Sequence, residues 1–276
     1  MTANSPTRFA TYNAIVLAVV FCSCFTLLLM LFSMGKQLFP ASAERWAYGL
    51  LGTAAGLLTT LLFVRIEKLR FADVGLQWRK TTLLHFAQGV MIGVLIMGCM
   101  AAMVFVMGGL RLLWNTHATV WELLLAILPL IPLALMEEIG FRGYPLQRLQ
   151  KAIGIRNAIW ITALLFGVYH LLNGWSWQAA MLGTSIWGLL FAWAACKQQG
   201  IAMSTGIHFA ANMTTSLYTD TAPTFQLWQI QMANGSSMQQ YQETWLTTWL
   251  PHVVLLLLSV WLIERLVKQQ SKLRDA

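Results

Sequence analysis

Long apolar runs separated by short polar stretches dominate the chain. The first, Ala14–Met34, is long enough to cross a hydrocarbon core of ~30 Å at about 1.5 Å per residue. The tripeptide Ala41-Ser42-Ala43 resembles a signal-cleavage site. However, the run is longer than the ~7–15 apolar residues of a signal peptide and Lys36 intervenes, so it reads as a retained transmembrane helix. Seven further spans follow at about Trp46–Val64, Leu84–Val106, Val120–Glu138, Ala158–Leu172, Ala179–Cys196, Ile201–Leu217 and Thr247–Ile263. The pattern predicts an all-α fold, a polytopic membrane helix bundle of about eight transmembrane helices forming a single domain over residues 1–276. Pro129 and Pro132 predict a kink in the fourth span. Asn173–Trp177 reads as a short interfacial turn. Gly183, Ser185, Gly188, Ser204 and Gly206 are small enough to let the later helices pack closely.

Composition strengthens this reading. The chain is 58% hydrophobic and 10% charged, with mean hydropathy +0.62, whereas a soluble domain carries about 25% charged residues. The 13 Trp suit interfacial belts. Cys22, Cys24, Cys99 and Cys196 fall in or beside apolar runs, where no disulfide framework is needed, and Cys-Ser-Cys is not a zinc spacing. Charge is placed unevenly. Of the 18 Lys and Arg residues, only Lys36, Arg45 and Arg111 fall between spans on one side, and the rest lie on the other. The positive-inside rule then puts both termini in the cytoplasm, in the plasma (inner) membrane of a bacterial-type cell. It also accounts for a pI near 9.6 through membrane lipid, with no nucleic-acid partner. Residues 66–83 mix charge with Leu69, Phe71, Val74, Leu76 and Trp78, as an amphipathic interfacial segment would. Residues 218–244 read as a solvated outer loop, with a substrate lid as the second reading.

Chemistry concentrates in the second half. The apolar run Trp121–Met136 ends on Glu137 and Glu138, and a charge near the bilayer interior costs roughly 2.5–3.5 kcal/mol on insertion scales. Arg142, four residues after Glu138, shares its helix face and can pair with it, which leaves Glu137 on another azimuth. The fifth span carries Phe166-Gly-Val-Tyr-His170 and the seventh carries His208-Phe-Ala-Ala-Asn212. A lone membrane histidine is usually a structural hydrogen-bonding group, and His85, His117 and His252 sit at interfaces where that reading holds. Glu137, Glu138, His170, His208 and Asn212 on three spans form a catalytic candidate. Two chemistries fit. In one, Glu137 is general base for a water held by His170, while His208 and Asn212 donate to an oxyanion. In the other, Glu137, His170 and His208 bind a divalent metal such as Zn, although no His-Glu-x-x-His motif is present. Straight helices with these boundaries place Glu137 near the cytoplasmic edge, His208 about 10 Å in and His170 about 20 Å in, so some helix must be longer, tilted or broken.

Glu-Glu-x-x-x-Arg, Phe-x-x-x-His and His-x-x-x-Asn, in this order within a multi-span protein, resemble the CAAX-protease and bacteriocin-processing (CPBP, or Abi) family of intramembrane endopeptidases, which includes the type II CAAX prenyl endopeptidases. The resemblance runs over about residues 121–213, the expected catalytic core. It implies hydrolysis of a peptide bond at a membrane-embedded site open to the cytoplasmic side. The substrate would be a polypeptide, either lipidated or otherwise membrane-associated. It also implies that Glu137 and His170 activate water while His208 and Asn212 form the oxyanion hole, with Glu138 and Arg142 completing the site. The family has been described as metallopeptidases, and a metal-free glutamate mechanism is now favoured for it. Two other classes are compatible with these residues: a non-proteolytic membrane scaffold or immunity-type protein that retains the site, and a proton-coupled transporter. The halves show no inverted repeat, which counts against the transporter.

Overall fold

The computed structural model describes residues 8–219, 226–235, 238 and 241–275. The polar N-terminal tail and positions 220–225, 236, 237, 239 and 240 of the expected outer loop lie outside the described residues. In chain order the helices are α1 (Arg8–Ser33), α2 (Glu44–Ile66), α3 (Thr82–Gly108), α4 (Val120–Ile127), α5 (Leu130–Arg142), α6 (Tyr144–Leu172), α7 (Ser185–Gln198), α8 (Ala202–Thr219) and α9 (Trp245–Asp275). A π-helical stretch, Gln178–Thr184, leads into α7. Two short strands, β1 (Leu110–Trp114) and β2 (Trp228–Met232), pair antiparallel, so a two-stranded ribbon stands where loops were expected.

The helices form a polytopic membrane bundle. Among the described residues six helical stretches are long and apolar enough to cross a membrane, where eight were expected. The expected fourth and fifth spans fall within one apolar stretch, Val120–Leu172, and the expected seventh is α8, whose Ser204, Thr205, His208 and Asn212 make it the more polar helix. The outer surface has the character of a lipid-facing one. Leu27, Leu31, Leu62, Met91, Leu95 and Leu257 are all exposed, while Glu138, Arg142, Thr162 and Ser204 are fully buried. In water that arrangement would be inverted.

Small residues set the packing. On α3 only Gly89, Gly93 and Met97 are buried, a stripe of i, i+4 and i+8. A Cβ at Gly89 would run into the carbonyl of Met203, and one at Gly206 into that of Phe86, so α3 and α8 lie backbone to backbone. On α2, Gly49 meets Pro132 and Leu133, Gly52 meets Met136, and Gly56 meets Ile139. Both registers rise together, so α2 runs parallel to α5 and α3 parallel to α8. Pro129 and Pro132 do not kink a continuous helix. Pro129 caps α5 after α4 has ended, and Pro132 sits in its first turn, where a missing N–H costs little.

Contacts define two ends of the bundle. At one end Tyr144 donates to Glu67, Arg148 pairs with Glu67 at 3.1 Å, Lys151 reaches the Asp73 carbonyl, and Arg156 pairs with Glu264. Residues 66–83, read as an amphipathic interfacial segment, lie at this end. They form a tight turn at Phe71–Val74, closed by Arg70 and Asp73, with Val74 buried. At the other end lie the Lys36–Glu44 pair, the bond from Arg45 to the Ala126 carbonyl, and the ribbon. Gly174, at φ 85, makes the expected turn after α6 there.

The chain between the two Glu-bearing spans is itself helical. Gly143, at ψ −118, breaks the chain between α5 and α6, and Gly154, at φ 79 and ψ 164, breaks α6 internally. The helix therefore continues from Tyr144 for about three more turns past Arg142 before the return leg begins near Ile155. Phe141 then lies beside Phe166 and Tyr169, each at 5.2 Å between ring centres. Glu137 is thus removed from the membrane edge by the length of this extension, which is how it reaches the depth of His170.

Candidate active site

Glu137, His170, His208 and Asn212 all line one cavity of about 870 Å³. Glu138 and Arg142 lie behind its wall with no exposed surface. The structure therefore brings the six expected side chains together, in two layers.

The buried layer is organised by Arg142. Its Nη1 stands 3.7 Å from Glu138 Oε1, and its Nη2 donates to the Gly188 carbonyl at 3.2 Å. The guanidinium plane lies 4.2 Å from the Phe166 ring centre and 5.3 Å from that of Phe191. These rings offer π faces to a cation that water cannot reach. Gly188 is needed here, because a Cβ would stand 3.2 Å from Nη2 and 3.1 Å from the Ala163 backbone.

Glu138 joins the buried layer to the cavity. The same Oε1 lies 3.0 Å from His208 Nδ1, and His208 Nε2 lies 3.5 Å from Glu137 Oε2. A carboxylate only accepts, so the Nδ1 proton of His208 belongs to this contact. His208 is stacked on Phe191 at 4.5 Å and 14°, which fixes the ring plane. Two carboxylates thus stand against one guanidinium and one imidazole, an arrangement in which each buried charge has a partner.

His170 is held independently. Its Nδ1 lies 2.8 Å from the Phe166 carbonyl, an acceptor, so Nδ1 carries the proton and Nε2 is the acceptor in the neutral ring. Phe166, Tyr169 and Trp175 pack edge-on around it at 4.5–5.1 Å. Among the described residues no three His, Cys, Asp or Glu side chains are grouped so that they could hold a metal ion, so Glu137, His170 and His208 do not form a ready ligand set.

Several cavity residues were not visible as site residues in the sequence. Tyr48, from the start of α2, lines the cavity beside Glu137. At the head of an apolar run it reads as an interfacial anchor, and nothing nearby signals otherwise. Trp187 and Gly183 line the wall from the π-helical stretch and α7. Phe166 and Phe191 look like ordinary core aromatics until Arg142 is seen between them.

The cavity opens at the end of the bundle that carries Arg45, Trp175, Gln178, Glu243 and His252, all of which line it. This is the end opposite the basic loops of residues 65–80 and 148–156.

Fold and site together define a polytopic membrane protein with a buried carboxylate–imidazole centre. The model of the family described as type II CAAX prenyl endopeptidase Rce1-like matches residues 119–214. That stretch holds all three motifs, and the match bears out the resemblance. No curated protein and no solved structure matches the chain.

Proposed function

We propose that this protein is an intramembrane endopeptidase that hydrolyses a peptide bond of a membrane-associated polypeptide with a water activated by Glu137. The observation that carries the reading is the asymmetric bracing of the two histidines around one cavity: His170 by a backbone carbonyl, His208 by Glu138. The family match at residues 119–214 supports the same class of activity.

The protons can be followed. His170 presents Nε2 as an acceptor and orients a water. Ionised Glu137 removes a proton from that water as its oxygen attacks the carbonyl carbon. His208, doubly protonated and with Nδ1 held by Glu138, donates from Nε2 to the oxygen that becomes negative, and the amide of Asn212 one turn further on supplies a second donor. The C–N bond then breaks, and the amine nitrogen takes the proton from Glu137, leaving a carboxylic acid fragment and an amine. Arg142 balances Glu138 so that both carboxylates can remain ionised together.

The test compares peptide termini in membranes carrying wild type or Glu137→Gln at matched protein levels. Gln is isosteric but cannot take the proton, so Glu137-dependent termini are expected to fall ~10²–10⁴-fold. His208→Ala should lose the same termini. If neither substitution changes any terminus, the peptidase reading fails and a scaffold role for the preserved site takes its place.

A further inference from the structure

We propose that the cavity is reached from the non-cytoplasmic face of the membrane, so that its substrate is a polypeptide segment exposed on that face. The inference about substrate rests on the peptidase reading; the side of access does not.

Two independent observations meet here. The first is the route. Towards the basic end the site is sealed by Glu138, Phe141, Arg142, Tyr144, Leu146 and Leu149, every one without exposed surface or nearly so. Towards the other end the same helices contribute their near halves to an open wall: Leu133 and Glu137 from α5, His170 from α6, Thr215 from α8, and Trp249 from α9. Among the described residues, Glu137 is open towards that side and closed towards the basic end.

The second is the charge placement. The sealed end carries the Lys and Arg of residues 65–80, 148–156 and 265–272. The open end has Lys36, Arg45 and Arg111, and two of these face acceptors within the protein, Glu44 and the Ala126 carbonyl. An excess of Lys and Arg in short loops stays cytoplasmic. The sealed end is then the cytoplasmic one and the mouth faces away from it. The mouth is aromatic as well: Trp175 and Trp249 line it and the exposed Trp177 and Trp245 are their near neighbours in sequence, the residue type that favours membrane interfaces. An extended segment emerging from the outer leaflet, carrying apolar side chains between these rings, matches that lining. A cytoplasmic C-terminal tail would have to cross the bilayer to reach it.

Single cysteines at the lip, Gln178→Cys and Glu243→Cys, and one at the sealed end, Lys80→Cys, decide the side. All three positions are exposed, and the parent chain supplies the background from its four native cysteines. Sealed right-side-out cells and inverted vesicles are treated with a membrane-impermeant maleimide. The expected result is labelling of both lip positions in cells at least tenfold above Lys80→Cys, with the order reversed in inverted vesicles. Labelling of the lip only in inverted vesicles overturns the proposal. The two lip variants sit on different elements, so misfolding of one leaves the other to decide. Lip labelling from outside without any Glu137-dependent cleavage would leave the access route standing and remove the peptidase reading.

Discussion

Arg142 has no exposed surface, yet it touches a carboxylate, a backbone carbonyl and two aromatic faces. Its planar fork can serve all of these at once, and an ammonium cannot. Arg142→Ala would remove the cationic partner of Glu138 and leave it only His208, and breaking a buried pair in this way costs about 3–5 kcal/mol. It should lower the unfolding temperature in detergent sharply. Arg142→Lys should recover part of that stability while losing the donor to Gly188. It should therefore remain more than tenfold less active, which a thermal scan and a cleavage assay on the same preparation would separate. The Glu138–Arg142 pair was legible in the sequence, because a spacing of four on a helix fixes a shared face. The 3.0 Å contact between Glu138 and His208 was not, because it depends on α5 and α8 meeting across 70 residues of chain. That contact gives Glu138 a second task, holding the His208 ring. Glu138→Gln should therefore weaken catalysis by ~10²–10³-fold, the range for a lost oxyanion donor, with substrate binding little changed. The readout is kcat against KM.

Helix ends, more than helix centres, decide whether the site assembles. The sequence located every apolar run, but a run does not reveal where the backbone stops being helical. Gly143 and Gly154 interrupt a stretch that reads as a span followed by a basic loop, and the helix between them supplies the depth that straight spans could not. At Gly154 the φ and ψ values belong to a region open almost solely to glycine. Gly154→Ala should cost about 1–3 kcal/mol, and by re-aiming the return leg of α6 it should displace His170 and reduce cleavage as well. Small residues between α3 and α8 make the same point by contrast. Gly206→Val would force apart backbones that now touch, two residues before His208, whereas Gly98 on the same pair has open space around it. Gly98→Ala is expected to leave the unfolding temperature and cleavage within about 1 kcal/mol of wild type, and Gly206→Val to lose both. The ribbon escaped the sequence for another reason. Leu110–Trp114 and Trp228–Met232 are five-residue segments more than a hundred positions apart, and neither is a stable strand without the other.

At the scale of the whole molecule, one chain property organises both topology and chemistry: polarity is divided between the two ends. Nearly all the basic side chains, with their partners Glu67, Asp73 and Glu264, gather at the end where Arg142 and the layer around it close the bundle. The open end is ribbon, indole rings and amide side chains. This division was legible in the sequence as a count of loop charges; that the cavity opens at the charge-poor end was not, because it depends on which halves of seven helices face inward. It leads to a prediction about the intact protein. Trypsin outside sealed cells should meet only Lys36, Arg45 and Arg111 among the described residues, and each is constrained: Lys36 is paired with Glu44, Arg45 bonds the Ala126 carbonyl, and Arg111 lies in β1 with its side chain 3.4 Å from Gln231. The protein should therefore persist in cells under trypsin. In inverted vesicles the same protease should cut at residues 65–80 and 265–272. Rapid cleavage in sealed cells with protection in inverted vesicles would reverse the orientation. The mouth would then face the cytoplasm, and cytoplasmic tails would become the fitting substrates for the same carboxylate and imidazoles.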